Sequence, residues 1–156
     1  MRQRGYTLIE LLMVLAVMAV LASMAMPFVE MTAQRERERE LKRALWEIRD
    51  AIDGWNKACL VGAIQVPAGA LPYPPTLVAL ASAQPDRRPD QRGKVLRFLR
   101  SVPRDPFADA ALPAEETWGL RGYKSEADAP QPGPEVYDVY SRSRGMGLNG
   151  VPLSKM

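Results

Sequence analysis

The chain has 156 residues and a net charge of +3, with one cysteine, Cys59, and no histidine. This length fits one domain of modest size. The lack of histidine excludes Ser–His–Asp and Cys–His catalysis and the usual zinc sites. A lone cysteine also excludes an internal disulfide. Two positive charges lie in residues 1–5, so the remainder is close to neutral and gives no indication of nucleic-acid binding.

An uncharged run near the N-terminus predicts a membrane span. No residue from Leu11 to Val29 is charged. At about 1.5 Å per residue, a helix of this length covers about 28 Å, close to one bilayer core. Arg2 and Arg4 precede the run, and a long polar region follows it. We therefore predict one transmembrane helix over residues 6–29, with the N-terminus cytoplasmic and the rest outside.

Glu10 lies at the start of this run, where a carboxylate costs several kcal/mol and needs a partner. If the chain is cut after Gly5, the α-amino group of Tyr6 supplies a cation. That group belongs either to the same chain, one helical turn away, or to a neighbouring copy. Two alternatives stay open from the residues alone. Glu10 can reach the headgroups from an ordinary anchor, and residues 22–25 can serve as a secretory signal cleavage site.

The segment Gly5-Tyr6-Thr7-Leu8-Ile9-Glu10-Leu11-Leu12 resembles the class III signal of type IV pilins and type II secretion pseudopilins. The resemblance implies that an inner-membrane prepilin peptidase cuts after Gly5 and then N-methylates Tyr6. It also implies that Glu10 is the residue required for filament assembly. Pro27 stands where many relatives carry a proline, and a proline inside a helix is expected to bend it.

Residues 30–62 are predicted to form the amphipathic half of the same long helix, ending near Gly62. Apolar residues recur at spacings of four and three, which indicates one buried stripe. The stripe consists of Leu41, Leu45, Ile48, Ile52, Trp55 and Cys59. The block of alternating charges at 35–40 is predicted to be a solvated neck or a surface that touches neighbours in a filament. Within it, Glu38 has the spacing to pair with Arg35 or Lys42.

Residues 63–115 are rich in proline and are predicted to connect the long helix to a sheet. Two short helices are expected, at 76–83 and 93–101. The buried candidates of the second are Val95, Leu96, Phe98 and Leu99. Arg104-Asp105-Pro106-Phe107 resembles the step that precedes the sheet in G-type, or major, pseudopilins.

The acidic residues of this connection are predicted to be solvated rather than catalytic. They are Asp105, Asp109, Glu115 and Glu116. Paired carboxylates can carry out acid–base chemistry, but no cleft-forming pattern accompanies them. Cys59 has no histidine to activate it. We therefore predict that the chain is not an enzyme.

Residues 116–156 are predicted to form a small antiparallel sheet and a tail. Strands are expected at 117–123 and 136–141, joined as a hairpin over the apolar stripe of the helix. The glycines of 145–150 fit the spacing G-x-G-x-x-G, but no strand–turn–helix context surrounds them. We interpret them as turn residues, with Asn149-Gly150 suited to a tight turn.

G-type pseudopilins usually carry aspartates in this tail that form a calcium loop, and this sequence departs from them there. Calcium takes six to eight oxygen ligands, several of them carboxylates. The tail offers only Ser141, Ser143 and Asn149, and the cations Arg142 and Arg144 would repel the ion. We therefore predict that the calcium site is absent and that the chain needs no cofactor.

The predicted fold is α+β and pilin-like: a leader at residues 1–5, then a long helix packed on a small antiparallel sheet. The resemblance implies a pseudopilin of a type II secretion system, most similar to the G-type subunit, in the bacterial inner membrane. Its partners would be prepilin peptidase, other pseudopilins, and an assembly platform with a cytoplasmic ATPase. The product would be a short periplasmic filament that drives protein export. The alternatives are a minor pilin or pseudopilin that primes a filament, and a signal-anchored periplasmic binding domain.

Overall fold

The structure is a computed structural model that describes residues 7–156, apart from the side chains of residues 24–28. It divides into two compact units, Met1–Glu36 and Arg37–Met156. The elements are α1 (Leu8–Leu60), α2 (Leu77–Ala81), β1 (Gln84–Pro85), β2 (Val95–Leu96), β3 (Trp118–Arg121) and β4 (Asp138–Ser141). Short 3-10 turns lie at Pro89–Gln91, Ala114–Thr117 and Leu153–Lys155.

The amphipathic stripe of α1 forms one side of the core of the second unit. Leu41, Leu45, Ile48, Ile52 and Trp55 are buried, as their spacing predicts, and Cys59 is half-buried. The other side of the core comes from α2, from strands β3 and β4, from loop residues beside the strands, and from the tail. It consists of Leu77, Leu80, Leu99, Trp118, Val136, Val139 and Leu153. Each large aliphatic side chain buried here contributes about 1.5–3 kcal/mol. The α+β arrangement of a long helix packed on small antiparallel sheets is confirmed.

Helix α1 ends at the predicted place and by an identifiable mechanism. Gly62 has a φ of 73°, in the left-handed region that glycine adopts at low cost. Its N–H donates to the carbonyl of Cys59 at 3.0 Å, and the N–H of Ala63 donates to the carbonyl of Ala58 at 2.8 Å. These two bonds form a Schellman motif, which satisfies the last carbonyls of the helix.

Strands β3 and β4 form the predicted antiparallel hairpin, with shorter bounds than the sequence indicated. Leu120 faces Val139, and Gly119 faces Tyr140. The ring of Tyr140 covers Gly119 so closely that a Cβ at that position would lie 2.3 Å from a ring carbon. A residue larger than glycine at position 119 would therefore displace the tyrosine.

The helix predicted at 93–101 is wrong. Gly93 has a φ of 83°, and the next residues form β2, which pairs antiparallel with β1. The N–H groups of Phe98 and Leu99 both donate to the carbonyl of Leu80 at 3.0 Å. Backbone pairing with the end of α2 thus replaces the helical bonds. As a result, Val95 is 62% exposed rather than buried.

The other predicted helix of this connection is confirmed, with narrower bounds. Helix α2 begins after Thr76, whose hydroxyl accepts the N–H of Ala79 at 3.2 Å as an N-cap. Phe98 then packs against α1, because its ring lies 5.5 Å from that of Trp55. A Cβ on Gly54 would meet the same ring at 3.2 Å, so the close approach accounts for a glycine inside α1.

The prediction that Asp105 is solvated is also wrong, because its side chain lies in a buried network. Its carboxylate accepts the hydroxyl of Ser141 at 2.6 Å and the N–H of Phe107 at 2.8 Å. Its own N–H donates to the hydroxyl of Thr117 at 3.2 Å. The indole of Trp118 donates to the carbonyl of Pro103 at 2.8 Å. A buried carboxylate is tolerated when it is hydrogen-bonded in this way.

Asp138 on β4 binds two arginines, Arg49 of α1 and Arg121 of the neighbouring strand β3. Arg49 Nε donates to Asp138 Oδ1 at 2.9 Å, and Arg121 Nη2 donates to Asp138 Oδ2 at 3.0 Å. Burial alone would raise the pKa of Asp138, but the hydrogen bonds from Arg49 and Arg121 outweigh burial and the pKa is lowered. The charged carboxylate therefore stabilises the contact between the helix and the sheet.

We predict that Asp138→Asn lowers the free energy of unfolding by about 1 kcal/mol at pH 7. An unfolded aspartate has a pKa near 3.9. Because the folded pKa is lower, the stabilisation is complete above about pH 3.9 and is lost as the pH falls through the folded pKa. Urea unfolding from pH 7 to pH 3 should show the difference between wild type and variant shrinking below about pH 4. Glu126→Gln controls for the loss of one surface charge, and an unchanged difference at low pH would contradict the prediction.

Candidate functional site

The candidate functional site is the N-terminal segment with Gly5, Tyr6, Glu10 and Pro27. Gly5 and Tyr6 lie outside the described residues, so cleavage after Gly5 and methylation of Tyr6 stay predictions. Glu10 is described, and it lies in the first turn of α1. Pro27 falls within α1, but the side chains of 24–28 are outside the described part. The bend expected at Pro27 therefore also stays a prediction.

Thr7 caps the start of α1, which sequence reasoning missed. The N–H of Glu10 donates to the carbonyl of Thr7 at 3.1 Å and lies 3.4 Å from its hydroxyl oxygen. The spacing Thr7-x-x-Glu10 is that of a capping box, so the signal was present in the sequence. A carboxylate in the first turn is also stabilised by the positive end of the helix dipole. Glu10 thus has a favourable electrostatic site in its own chain.

The first turns of α1 expose apolar side chains on every side. Leu8, Met13 and Leu15 are 65–79% exposed, and their neighbours through Leu21 are similarly exposed. The hydroxyl of Ser23 donates to the carbonyl of Val20 at 2.7 Å, so this polar group is satisfied within the helix. A helix that is apolar all round is typical of segments that lie inside a membrane or an assembly.

In residues 7–23 and 29–156, no helical segment combines the length and the apolar character needed to cross a bilayer. The single-pass topology predicted for residues 6–29 is not confirmed and stays a prediction.

The charged block at 35–40 is mostly exposed, as predicted, but Glu38 is not. Its side chain is buried, and it accepts the N–H of Leu148 at 2.8 Å. The i,i+3 and i,i+4 spacings that suggested Arg35 or Lys42 as partners do not anticipate this contact, because Leu148 is 110 residues away. Glu38 therefore braces the tail against α1.

The glycines of the tail are turn residues, as predicted. The N–H of Gly150 donates to the carbonyl of Gly147 at 2.9 Å, and Gly150 has a φ of 75°. Met146 and Pro152 then form an antiparallel bridge. The turn thus lies one residue earlier than the predicted Asn149-Gly150 centre.

The side-chain oxygen atoms of Ser141 and Asn149 take part in hydrogen bonds. The hydroxyl of Ser141 donates to Asp105 and accepts the N–H of Ser143 at 3.1 Å. The side-chain oxygen of Asn149 accepts the N–H of Val151 at 3.1 Å. These bonds help to hold the tail in place, and the absence of a calcium site stays a prediction.

A groove of about 1160 Å³ lies at the C-terminal end of α1, between residues 64–71 and 122–135. Trp55, Cys59 and Tyr73 line its apolar floor. Burial raises the pKa of the Cys59 thiol, which disfavours the nucleophilic thiolate. The groove therefore offers apolar contact rather than thiol chemistry.

We predict that Glu38→Ala releases the tail from α1, because the N–H of Leu148 loses its charged acceptor. The loss is about 1 kcal/mol, which should speed hydrogen exchange at Leu148 roughly fivefold. Exchange measured by NMR on wild type and variant checks this. Glu40→Ala removes an exposed carboxylate two residues further along the same helix and should leave exchange at Leu148 unchanged. Equal exchange rates in the two variants would contradict the bracing role.

Residues 1–26 match the family described as the prokaryotic N-terminal methylation motif. No curated protein and no solved structure matches the chain. The matched segment contains Gly5, Tyr6 and Glu10, so the prepilin-type character of the signal is confirmed. The motif indicates a type IV pilin-like or pseudopilin protein, while the G-type assignment is not confirmed. The chain thus carries a prepilin-type N-terminal methylation motif at the start of a long helix that continues into an α+β domain.

Proposed function

We propose that the protein is a pseudopilin of a type II secretion system, made as a precursor and assembled into a short periplasmic filament. The methylation motif over residues 1–26 carries the proposal. Under it, a prepilin peptidase removes residues 1–5 and methylates the amine of Tyr6. The mature chain waits in the bacterial inner membrane with its C-terminal domain in the periplasm. A platform powered by a cytoplasmic ATPase then adds subunits together with other pseudopilins.

The exposed apolar start of α1 supports this function. Side chains such as Leu8, Ile9 and Met13 need a nonaqueous environment. Lipid supplies it before assembly, and the equivalent helices of neighbouring subunits supply it afterwards. Because both environments are apolar, moving a subunit from one to the other costs little hydrophobic free energy. Specific polar contacts then decide when the transfer occurs.

Glu10 is the group best placed to provide such a contact. Its carboxylate lies in the first turn of α1, where the helix end carries partial positive charge. A processed neighbour would add the full charge of its Tyr6 amine. In an apolar surrounding, this pair is worth far more than in water. Each subunit would then neutralise the buried charge of the next and set the register of the filament.

The C-terminal unit supports a structural role rather than catalysis. The carboxylate of Asp105 accepts hydrogen bonds that hold the sheet to its preceding loop. The raised pKa of Cys59 makes its thiol a poor nucleophile. Such a unit suits a rigid head carried on each subunit. Growth of the filament would push these heads, and with them the exported proteins, toward an outer-membrane channel.

The experiment that tests the proposal is the intact mass and N-terminal peptide of the protein purified from its own membrane. We expect a chain that begins at Tyr6 and carries one additional methyl group. A chain that begins at Met1, or one cut after Ala25, would overturn the proposal and favour an anchored or secreted domain. A Gly5→Leu variant should stay uncut in the same cells, which shows that the peptidase is responsible.

We predict that Glu10→Gln leaves processing and membrane insertion intact but lowers filament yield at least tenfold. Close charge pairs couple by about 1.5–7 kcal/mol, and each 1.4 kcal/mol is about tenfold in affinity. Sheared filaments are quantified against total membrane-bound protein. Glu30→Gln is the matched control, because Glu30 is an exposed carboxylate of the same helix. Equal yields from the two variants would count against a role of Glu10 in assembly.

A further inference from the structure

Charge is strongly segregated along the second unit, although the chain beyond residues 1–5 is close to neutral. Residues 86–104 contain seven basic and two acidic residues. Residues 105–138 contain eight acidic and two basic residues. Two consecutive segments of one domain therefore carry large charges of opposite sign.

The first segment forms a basic hairpin, defined here as residues 86–100, which contains β2. It is held rigidly at both ends. Asp86 is buried and forms a fork with Arg88, at 2.6 Å between Oδ2 and Nη2. The N–H of Arg87 donates to the carbonyl of Ala63 at 2.9 Å. At the other end, Leu99 is buried in the core.

The outer surface of the basic hairpin is a cluster of exposed cations. They are Arg87, Arg92, Lys94, Arg97 and Arg100. In the part of the chain that the structure describes, none of the four arginines forms an ion pair. The positive charge of Lys94 makes a small contribution to lowering the pKa of Asp86. The hairpin therefore presents positive charge that its own molecule does not neutralise.

The second segment presents carboxylates on an equally firm support. Glu115 and Glu116 are exposed on the 3-10 turn Ala114–Thr117. Thr117 holds this turn, because its hydroxyl donates to the carbonyl of Ala114 at 2.6 Å and accepts the N–H of Asp105. Within residues 7–156, neither glutamate forms an ion pair. We call Glu115 and Glu116 the acidic turn.

We propose that the basic hairpin of one copy docks on the acidic turn of a second copy of this chain. Complementary charge favours this occupant, because the fold leaves both surfaces unneutralised within one molecule. Nucleic acid and anionic lipid would match the hairpin alone and would leave the acidic turn without a role. Docking between copies accounts for both surfaces at once.

Exposed ion pairs are individually weak, so the contact depends on several pairs and on a high local concentration. Here the inference rests on the proposed function, which holds many copies side by side in one membrane. Salt should weaken the contact, since the charges lie at the surface. The contact would supply register between heads, in addition to the pairing of Glu10 in the helices.

The test uses two differently tagged full-length copies expressed in the same cells and co-isolated from solubilised membranes. The first variant combines Arg97→Glu with Arg100→Glu, and the second combines Glu115→Arg with Glu116→Arg. We expect each variant alone to lower co-isolation at least fivefold. The chain with all four substitutions has exchanged charges and should recover to within twofold of wild type. Arg142→Glu with Arg144→Glu makes the same charge change at exposed tail positions and should have no effect.

A second measurement on the wild type does not depend on whether the variants fold. A carbodiimide joins a carboxylate to a lysine amine at contact distance, and Lys94 is the lysine of the basic hairpin. We expect a covalent dimer in which peptides with Lys94 and with Glu115 or Glu116 are joined.

Several results would overturn the proposal. These are unchanged co-isolation in both variants, no recovery with all four substitutions, or a wild-type dimer without a Lys94 cross-link. If Arg97→Glu with Arg100→Glu lost binding to phosphatidylglycerol vesicles while co-isolation stayed unchanged, the proposal would also be overturned, and the hairpin would be assigned to lipid binding. The intact mass of the same samples separates failure of this proposal from failure of the proposed function. A chain that still begins at Met1 would contradict the proposed function, whereas a processed chain that begins at Tyr6 would leave only the docking proposal overturned.

Discussion

The apolar stripe on the second half of α1 is the constraint on which the rest of the second unit, Arg37–Met156, depends. A long helix needs a partner for its apolar face, and the remaining chain has only short elements to offer. Strands of two to four residues and a five-residue helix have little stability alone. They persist because Ile48 and Ile52 give them a shared surface to cover. Arg49, on the next face of the helix, then ties β4 to that surface through Asp138.

Periodic features were predictable from the sequence, and contacts between distant residues were not. The spacing from Leu41 to Trp55 determines one face of a helix by itself, and Gly62 ends it by a local motif. The contact between Glu38 and Leu148 has no local signal, since the two residues lie 110 positions apart. The failure at 93–101 has a similar cause. Its apolar residues fit a helix, but the free carbonyl of Leu80 offers a better backbone partner.

The candidate site shows the same division. The N-terminal motif is a short run of adjacent residues, so the sequence alone predicted its chemistry, and the matching family confirms the signal. The net charge did not predict the basic hairpin or the acidic turn, because it adds their opposite charges together. The sequence does not show which of Asp105 and Glu115 is solvated, because the tertiary fold determines which side chain is buried. The first is buried in the network of Ser141, and the second stays exposed on its turn.

Under the proposed function, the start of α1 also orders the events of assembly. Among residues 7–156, Glu10 is stabilised by the partial charges of the helix end and lies next to the cap of Thr7. These serve one chain and give no reason to prefer a neighbour. Removal of residues 1–5 creates a full positive charge next to Thr7, close to the carboxylates of adjacent copies. The α-amino charge of Tyr6 therefore exists only after processing, so the pairing of Glu10 with a neighbour's amine would not form in an uncut precursor.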